Sequence, residues 1–363
     1  MVKEKKALSL ISPYASGKPI DEVKREYGLT KVVKLASNEN PYGASQLALK
    51  AAKKALKLLN IYPDSASFDL RAALSKKHGL DGDMFAFGTG SDGLIELICK
   101  TFIEPGDEAI CPHPSFSLYE TNVNASNGTV VRVSLNEGYA MDLDAMQKAI
   151  TDKTKIIWLC NPNNPTGAIY EENEQKKFIE SVRDDILIVI DEAYYEFALK
   201  NNKYPDSEAL LKKHKNIIIL RTFSKIYGLA ALRVGYAMAD SSIIKAMDKI
   251  RAPFNVNSVA QAASIASLED EKFAEETIRK NEENKLYLYD EFDKLQMPYI
   301  KSHTNFIMVN TNRDSSYMYQ ELLKQGYIVK GGHVLGMDGY LRVTIGTKKE
   351  CKGFIKALKE IIN

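Results

Sequence analysis

The chain has 363 residues, of which 45% are hydrophobic and 26% are charged, and its formal net charge is +2. This length exceeds one typical domain, so we expect one large domain and a smaller one. The small net charge gives no support for a nucleic-acid partner, and we expect none.

Between residues 40 and 255, short apolar runs alternate with segments of helical periodicity. This alternation predicts an α/β domain with a mostly parallel central sheet. Strands are predicted over 85–87, 108–111, 130–133, 156–159, 186–190 and 217–220. Helices are predicted over 45–59, after Ser91 and over 171–183. Several strands lack period-2 alternation, so both faces of the sheet should be covered.

The composition changes after residue 270, where 270–296 is one long, charged, helix-forming stretch. Predicted strands follow at 306–309, 327–330 and 340–343, with helices near 316–325 and at the end of the chain. This pattern indicates a small α+β domain, onto which the first residues pack. We therefore predict a large domain over 40–255 and a small domain built from 1–39 and 256–363.

Polar tracts follow five of the predicted strands, and ligands of open α/β sheets bind beyond the carboxyl ends of the strands. The first tract, Gly88-Thr89-Gly90-Ser91-Asp92, opens a helix whose backbone N–H groups suit a phosphate. The alternative to a phosphate site is that the Ser or Asp of this tract only caps the start of the helix. No Walker motif is present, which disfavours nucleotide binding.

The next two tracts are weaker indications. Phe116 follows the predicted strand 108–111 and could stack on a flat ring, although core packing explains it equally well. The tract 161–167, Asn-Pro-Asn-Asn-Pro-Thr-Gly, is typical of a turn and only secondarily an array of hydrogen-bond donors.

The last two tracts carry more chemistry. Asp191 follows the apolar run 186–190, and an unpaired carboxylate at the edge of a dry sheet requires a cation. A pyridinium N–H meets that requirement, and a structural arginine is the alternative. Lys225 follows 217–220, and Ser224 and Arg233 add a hydroxyl and a guanidinium around one anion. Lys225 lies where pyridoxal 5'-phosphate (PLP) would form a Schiff base.

Seven short tracts occur in a recognisable order: 12–14 (SPY), 35–41 (LASNENP), 62–64 (YPD), 163–167 (NNPTG), 191–194 (DEAY), 224–225 (SK) and 341–347 (LRVTIGT). Together they resemble the fold-type I PLP-dependent aminotransferases, and among these the histidinol-phosphate aminotransferases. The resemblance covers nearly the whole chain and implies PLP as the cofactor.

The resemblance implies a role for each matching residue. Lys225 would be the Schiff-base lysine, and Asp191 would pair with the pyridine nitrogen and keep it protonated. Asn164 and Tyr194 would bind the 3-oxygen of the ring, on which Phe116 would stack. Lys225, Asp191 and Tyr194 are the implied catalytic residues.

Further residues would hold the two anionic groups. The implied phosphate site of the cofactor consists of backbone groups at Ser91 and Asp92, together with Ser224 and Arg233. Tyr62 would reach the phosphate in the neighbouring protomer, so a homodimer is expected. Arg342 would bind the anionic group of the substrate, and Tyr14, Asn40 and Lys330 would line the same pocket.

Two positions depart from the family's pattern. Gly93 stands where relatives usually have Glu after Ser-Asp, which should affect packing more than phosphate binding. Lys330 stands where relatives usually carry Arg, and a lysine offers a point charge without the bidentate fork. We therefore expect the affinity for a phosphorylated substrate to be weaker than in those relatives.

The expected reaction is transamination from histidinol phosphate to 2-oxoglutarate, giving imidazole acetol phosphate and glutamate, a step of histidine biosynthesis. An aromatic amino-acid aminotransferase and a phospho-amino-acid decarboxylase are alternatives within the same fold. A regulator without turnover is a third alternative, but it would carry a DNA-binding segment or lack the lysine, and the sequence has neither feature.

Cysteine and histidine usage sets further expectations. Cys99, Cys111, Cys160 and Cys351 form no CxxC pair and are interpreted as buried thiols. The five histidines are scattered without a zinc motif, so no metal is expected. No apolar run reaches about 18 residues, and the charged start of the chain does not resemble a signal peptide. We therefore expect a cytoplasmic protein without a membrane partner.

Overall fold

The computed structural model describes residues 2–15 and 17–362. In these residues the strands are β1 (Val33–Lys34), β2 (Phe85–Gly88), β3 (Glu108–His113), β4 (Thr129–Ser134), β5 (Thr154–Cys160), β6 (Leu187–Asp191), β7 (Ile217–Thr222), β8 (Gly235–Ala239), β9 (Phe306–Asn310), β10 (Tyr327–Ile328), β11 (Lys330–Gly331) and β12 (Tyr340–Thr344).

The helices of the first half are α1 (Ile20–Tyr27), α2 (Gln46–Ala55), α3 (Phe68–His78), α4 (Gly90–Phe102), α5 (Leu118–Ala125), α6 (Leu143–Lys148) and α7 (Glu172–Ser181). Those of the second half are α8 (Tyr195–Ala198), α9 (Ser207–Leu211), α10 (Ser241–Asp248), α11 (Ser258–Leu268), α12 (Glu271–Lys294), α13 (Ser315–Lys324) and α14 (Lys348–Ile362). Short 3-10 turns supplement them, at Lys6–Leu10, Leu56–Leu58, Gly82–Met84, Ala230–Leu232 and Gly332–Val334.

The main sheet has the strand order β2-β8-β7-β6-β5-β3-β4. Strand β8 runs antiparallel to both of its neighbours, whereas the other neighbouring pairs are parallel. Strands β6 and β7 are buried along their whole length, because helices cover both faces of the sheet. The expected α/β class with a mostly parallel central sheet is confirmed.

Strand β8 had no counterpart among the sequence-based predictions. Its sequence, Gly-Tyr-Ala-Met-Ala, contains no β-branched residue, so it lacks the composition typical of strands. It is a strand because β2 and β7 hold it between them, with Gly235 opposite both Gly88 and Thr222. Tertiary context decides its conformation.

The parallel strands bring their carboxyl ends to one edge of the main sheet. The five polar tracts predicted from the sequence all lie at this edge, since they follow β2, β3, β5, β6 and β7. Arg233 joins them because it lies two residues before β8, which runs the opposite way. The fold thus gathers residues that are as far apart as Ser91 and Arg233 in the chain.

A second, smaller sheet contains β9, β11 and β12 in antiparallel pairs, and β1 pairs with β10 in a separate two-stranded sheet. The predicted strand 327–330 is therefore split, since its first half joins β1 and Lys330 joins β12. Helix α12 connects the two apolar cores, with Ile278 against the main core and Phe292 in the smaller one.

Contacts cross the expected domain boundary in several parts of the chain. Helix α11 packs against α2 and α3, and the turn Lys6–Leu10 lies against α5. The division into 40–255 and 1–39 with 256–363 stays a prediction. Among the described residues, no helix combines the length and the apolar character needed to cross a bilayer.

Candidate active site

A cavity of about 540 Å³ opens at the carboxyl edge of the main sheet. Its walls contain twelve of the predicted site residues, which are Tyr14, Ser91, Asp92, Phe116, Asn164, Asp191, Tyr194, Ser224, Lys225, Arg233, Lys330 and Arg342. The volume lies within the range of pockets for small molecules and cofactors. The smaller sheet contributes Lys330 and Arg342, so both sheets build the cavity.

Two predicted site residues lie outside these walls. Asn40 donates from its side-chain amide to the Ile226 carbonyl over 2.8 Å and accepts from the Tyr42 N–H over 3.0 Å, so its side chain braces the backbone. Tyr62 is 78% exposed and stacks on Phe254, with 4.6 Å between the ring centroids. Their roles in binding stay predictions.

Lys225 extends into the cavity from the loop after β7. Its Nζ donates to the Ser37 carbonyl over 3.2 Å. Burial and the nearby Arg342 guanidinium lower the pKa of Lys225 to about 8. A substantial fraction of the amine is therefore neutral just above neutral pH, as a nucleophile or general base requires.

Asp191 ends β6 and is 3% exposed. Its Oδ2 accepts from the Tyr119 hydroxyl over 2.7 Å and its Oδ1 from the Ala193 N–H over 3.0 Å. Burial raises the pKa of Asp191 to about 6. Within residues 2–15 and 17–362 no lysine or arginine forms an ion pair with it, so the structural arginine considered as an alternative is not found.

At the predicted phosphate site, the backbone around Gly90, the backbone around Gly235 and the Arg233 side chain approach one another closely. The Arg233 guanidinium donates to the Asp92 carboxylate over 3.1 Å and to the Ser224 hydroxyl over 3.4 Å. Gly90 has a φ of +79°, and a Cβ there would lie 2.5 Å from Arg233 Nη2. Gly235 is equally constrained, because a Cβ would lie 2.7 Å from the backbone N of Ser91. Only glycine permits this approach.

Gly93, the first departure from the family's pattern, has a local steric reason. A Cβ at this position would lie 2.5 Å from the Thr89 hydroxyl oxygen. The loop in this chain is therefore packed too closely at residue 93 to leave space for a side chain there.

The smaller sheet brings two cations to the cavity. Lys330 and Arg342 are cross-strand partners on β11 and β12. Arg342 donates to the Asn164 side-chain oxygen over 2.5 Å and to the Ala36 carbonyl over 2.7 Å, while its buried Nε has no partner. Lys330 donates to the Ala15 carbonyl, and burial and Arg342 lower its pKa to about 8. Neither cation forms an ion pair with a carboxylate of the described residues, so the pair is suited to an anionic ligand.

Two buried residues that sequence reasoning missed contact the predicted ones. Tyr119 lies three residues after Phe116, a spacing that brings two side chains together at a helix start and that could have indicated it. Asn38 lies within the tract 35–41, and its Nδ2 donates to the Tyr194 hydroxyl over 2.9 Å. Nothing in the spacing of Asn38 and Tyr194 predicts this contact, because 156 residues separate them.

A second cavity of about 320 Å³ adjoins the first and shares Tyr14, Phe116, Asn164, Lys330 and Arg342 with it. Its far wall includes His113 and Glu120, whose Nδ1 and Oε1 lie 3.3 Å apart. The combined space accommodates a ligand that extends beyond the two cations.

The cavity fits PLP in three respects. The buried Asp191 carboxylate lacks the cation that a pyridine N–H would supply, and the glycine-lined contact with Arg233 suits a phosphate. Lys225 is a partly neutral amine in the same cavity. These residues, with Phe116 beside them, could hold the ring, the phosphate and the aldehyde of one molecule.

Comparison with known proteins identifies relatives along the whole chain. The sequence pattern of the family described as "Aminotransferase class I and II" matches residues 30–358. Histidinol-phosphate aminotransferase 2 of Carboxydothermus hydrogenoformans is 44% identical over 358 residues, which are 99% of each chain. Histidinol-phosphate aminotransferase of Caldicellulosiruptor saccharolyticus is 45% identical over the same share of both chains.

A solved structure gives the same result for the fold. The crystal structure of histidinol-phosphate aminotransferase from Sinorhizobium meliloti in complex with pyridoxal-5'-phosphate superposes with a TM-score of 0.91 and 26% identity. It covers 100% of this chain and 98% of that chain. The sequence match over most of the chain, together with this cavity, shows that the chain belongs to the class I and II aminotransferase family.

Proposed function

We propose that the protein is a PLP-dependent aminotransferase that transfers the amino group of histidinol phosphate to 2-oxoglutarate in histidine biosynthesis, forming imidazole acetol phosphate and glutamate. Full-length identity of 44–45% to proteins named histidinol-phosphate aminotransferase supports this substrate. The observation that carries the proposal is the cavity itself, which Lys225 and Asp191 line together with the cations Lys330 and Arg342.

PLP, when bound, supplies an electron sink for the electron pair that remains when the substrate Cα loses its proton. Lys225 would hold the cofactor through its aldehyde, and its neutral Nζ would act as the base for the Cα proton of the substrate. The same amine, once it carries that proton, would serve as the acid of the site. The lowered pKa of Lys225, about 8, supports this role because proton transfer in both directions is then accessible.

Asp191 would accept a hydrogen bond from the protonated ring nitrogen of the cofactor, and the burial of the carboxylate would strengthen this interaction. The Tyr194 hydroxyl would donate to the ring 3-oxygen, since its other contact is the side-chain amide of Asn38, which acts as a donor. Asn164 would bind the same oxygen through its side-chain nitrogen, because its side-chain oxygen already accepts from Arg342. Arg233, Ser224 and the backbone at Ser91 and Asp92 would hold the phosphate.

The two half-reactions present different anions to one pocket. Arg342 binds the phosphate of the amino donor and the carboxylate of 2-oxoglutarate, because a guanidinium fork fits both. Lys330 adds a second positive charge on the neighbouring strand. Tyr14 lies over Lys330, with its ring centroid 5.5 Å from Nζ, and closes this end of the cavity.

A panel of amino donors tests the proposal. Purified protein with PLP and 2-oxoglutarate is assayed with histidinol phosphate, phenylalanine, tyrosine and O-phosphothreonine, and products are identified by mass spectrometry. We expect the highest kcat/KM for histidinol phosphate. A higher value for phenylalanine or tyrosine would make the protein an aromatic amino-acid aminotransferase, and release of CO₂ from O-phosphothreonine would make it a decarboxylase.

We further propose that the protein acts as a cytoplasmic homodimer. The segment around Tyr62 exposes large apolar side chains, with Leu59 70% and Phe68 70% accessible, which suits a contact with a second copy of the chain. Tyr62 would reach the phosphate of the neighbouring site from this surface. All four cysteines are buried and free, which supports a reducing compartment. We also propose that residues 40–255 form the cofactor-binding domain and that 1–39 and 256–363 form the smaller one.

A further inference from the structure

Tyr119 is a buried residue in direct contact with Asp191. Its hydroxyl donates to Asp191 Oδ2 over 2.7 Å, and the residue is 1% exposed. It lies at the start of α5, whereas Asp191 ends β6, so 72 residues separate the partners. The proposed mechanism assigns Asp191 a task but does not explain what keeps the carboxylate charged and correctly turned.

The position of the Tyr119 hydroxyl is fixed by packing of its ring. One face stacks on Trp158, with centroids 4.8 Å apart and planes at 14°. Its edge meets Phe116 at 5.7 Å and 83°. Because stacking and edge contacts restrict the ring, the hydroxyl has little freedom to turn away from Asp191.

Each of the two carboxylate oxygens of Asp191 accepts one hydrogen bond. Oδ2 accepts from Tyr119 and Oδ1 from the Ala193 N–H, so each oxygen keeps a lone pair for a further donor. Burial raises the pKa of Asp191 to about 6, and these two hydrogen bonds act in the opposite direction. Burial also raises the pKa of Tyr119 well above its ordinary value, so the phenol stays a donor.

We propose that Tyr119 is a positioning residue that holds the Asp191 carboxylate ionised and aimed at the ring nitrogen of the cofactor. This inference rests on the proposed function, since it assigns Asp191 to that nitrogen. Tyr119 and Phe116 both line the cavity, but the Tyr119 hydroxyl is committed to Asp191, so we expect Tyr119 to act through that carboxylate. Its effect should therefore appear in the protonation behaviour of the site.

The test measures the affinity of cofactor-free protein for PLP between pH 5.5 and 8.5, by absorbance titration, in the wild type and in Tyr119→Phe. We expect Tyr119→Phe to bind PLP about tenfold more weakly near neutral pH, the usual effect of removing a hydrogen bond to a charged group. The loss of affinity on acidification should begin at higher pH than in the wild type, because Asp191 then protonates more readily. The absorbance of the bound cofactor should change with pH in the same direction.

Tyr170→Phe is the matched control, because Tyr170 is a buried tyrosine of the same core whose hydroxyl has no hydrogen-bond partner. It should leave the affinity and its pH profile unchanged. Unaltered far-UV circular dichroism would show that Tyr119→Phe is folded. In an Asp191→Asn background, adding Tyr119→Phe should change the affinity by less than about twofold, since no carboxylate remains to be oriented.

Three results would overturn the inference: a Tyr119→Phe protein with wild-type affinity and pH profile, a pH-independent loss, or an equal loss in the Asp191→Asn background. A pH-independent loss would assign Tyr119 to packing alone. Failure of the wild type to bind PLP through Lys225 would instead contradict the proposed function, so the two failures are distinguishable.

Discussion

Asn38 and Tyr194 are joined by a buried hydrogen bond of 2.9 Å, in which the Asn38 amide donates to the phenol oxygen. The Asn38 side-chain oxygen accepts from the Thr344 hydroxyl over 3.0 Å. Thr344 follows Arg342 by two residues on β12, and Tyr194 follows Asp191 by three. Asn38 thus connects the strand with the substrate-binding cation to the edge of the main sheet.

Replacing Asn38 should therefore cost both stability and activity. Asn38→Ala leaves the Tyr194 and Thr344 hydroxyls without this partner and places Ala at a φ of +56°. We expect the free energy of unfolding to fall by about 2–4 kcal/mol, with a lower kcat/KM. Urea unfolding and steady-state kinetics measure the two effects.

Asn127→Ala provides the control for the backbone contribution. Asn127 also has a positive φ, +61°, but it is exposed and lies outside the cavity walls. Its replacement should cost about 1 kcal/mol and no activity. Equal losses in both variants would show that the buried hydrogen bonds of Asn38 contribute nothing.

Lys225→Ala should abolish the absorbance band of lysine-bound PLP and multiple-turnover transamination. Borohydride reduction of the wild type should label Lys225, as peptide mass spectrometry would show. Lys285→Ala is a useful control, because Lys285 is also buried but is paired with Glu282 over 2.7 Å. Ordinary multiple turnover in Lys225→Ala would contradict the assignment.

The pH dependence of substrate binding should report Lys330. Its pKa of about 8 is below the ordinary lysine value, so Lys330 is charged below that pH and loses its charge as the pH rises through it. We expect kcat/KM for histidinol phosphate to decline above about pH 8 in the wild type. In Lys330→Arg the decline should be absent and KM lower, since arginine stays charged and is bidentate. An unchanged profile in Lys330→Arg would assign the decline to another group.

Arg342→Ala should raise KM for both substrates about 10–100-fold, because a charge-assisted hydrogen bond to each anion is lost. PLP affinity should change much less, since Arg342 contacts Asn164, which is one of several residues proposed to bind the ring, and Ala36, but none of the residues of the phosphate site. Isothermal titration with PLP and steady-state kinetics separate the two effects. A large loss of PLP affinity with unchanged KM would remove the proposed role.

Mixed dimers test whether Tyr62 acts in the neighbouring site. Tyr62→Ala and Lys225→Ala proteins should each be impaired alone. A mixed dimer would contain one site with both changes and one intact site, so co-refolding should restore activity. If Tyr62 served its own site, every site of the mixed dimer would carry one change, and activity would stay low.

The sequence alone determined the α/β class and most of the candidate site. The β-branched runs of β6 and β7 reveal buried parallel strands, and such strands must end at a common edge, so the polar tracts that follow them are predicted to meet. The tracts that carry Lys225 and Asp191 are local in the chain and match a family's pattern. Twelve of the predicted residues indeed line one cavity.

Only the tertiary structure decided the contacts between distant segments. Strand β8 forms because β2 and β7 surround it, and the segment 327–330 divides because its two halves face different sheets. Tyr119 and Asn38 gain their roles from partners 72 and 156 residues away. Local propensity and periodicity carry no information on such pairs, since their energies arise only when packing removes both partners from water.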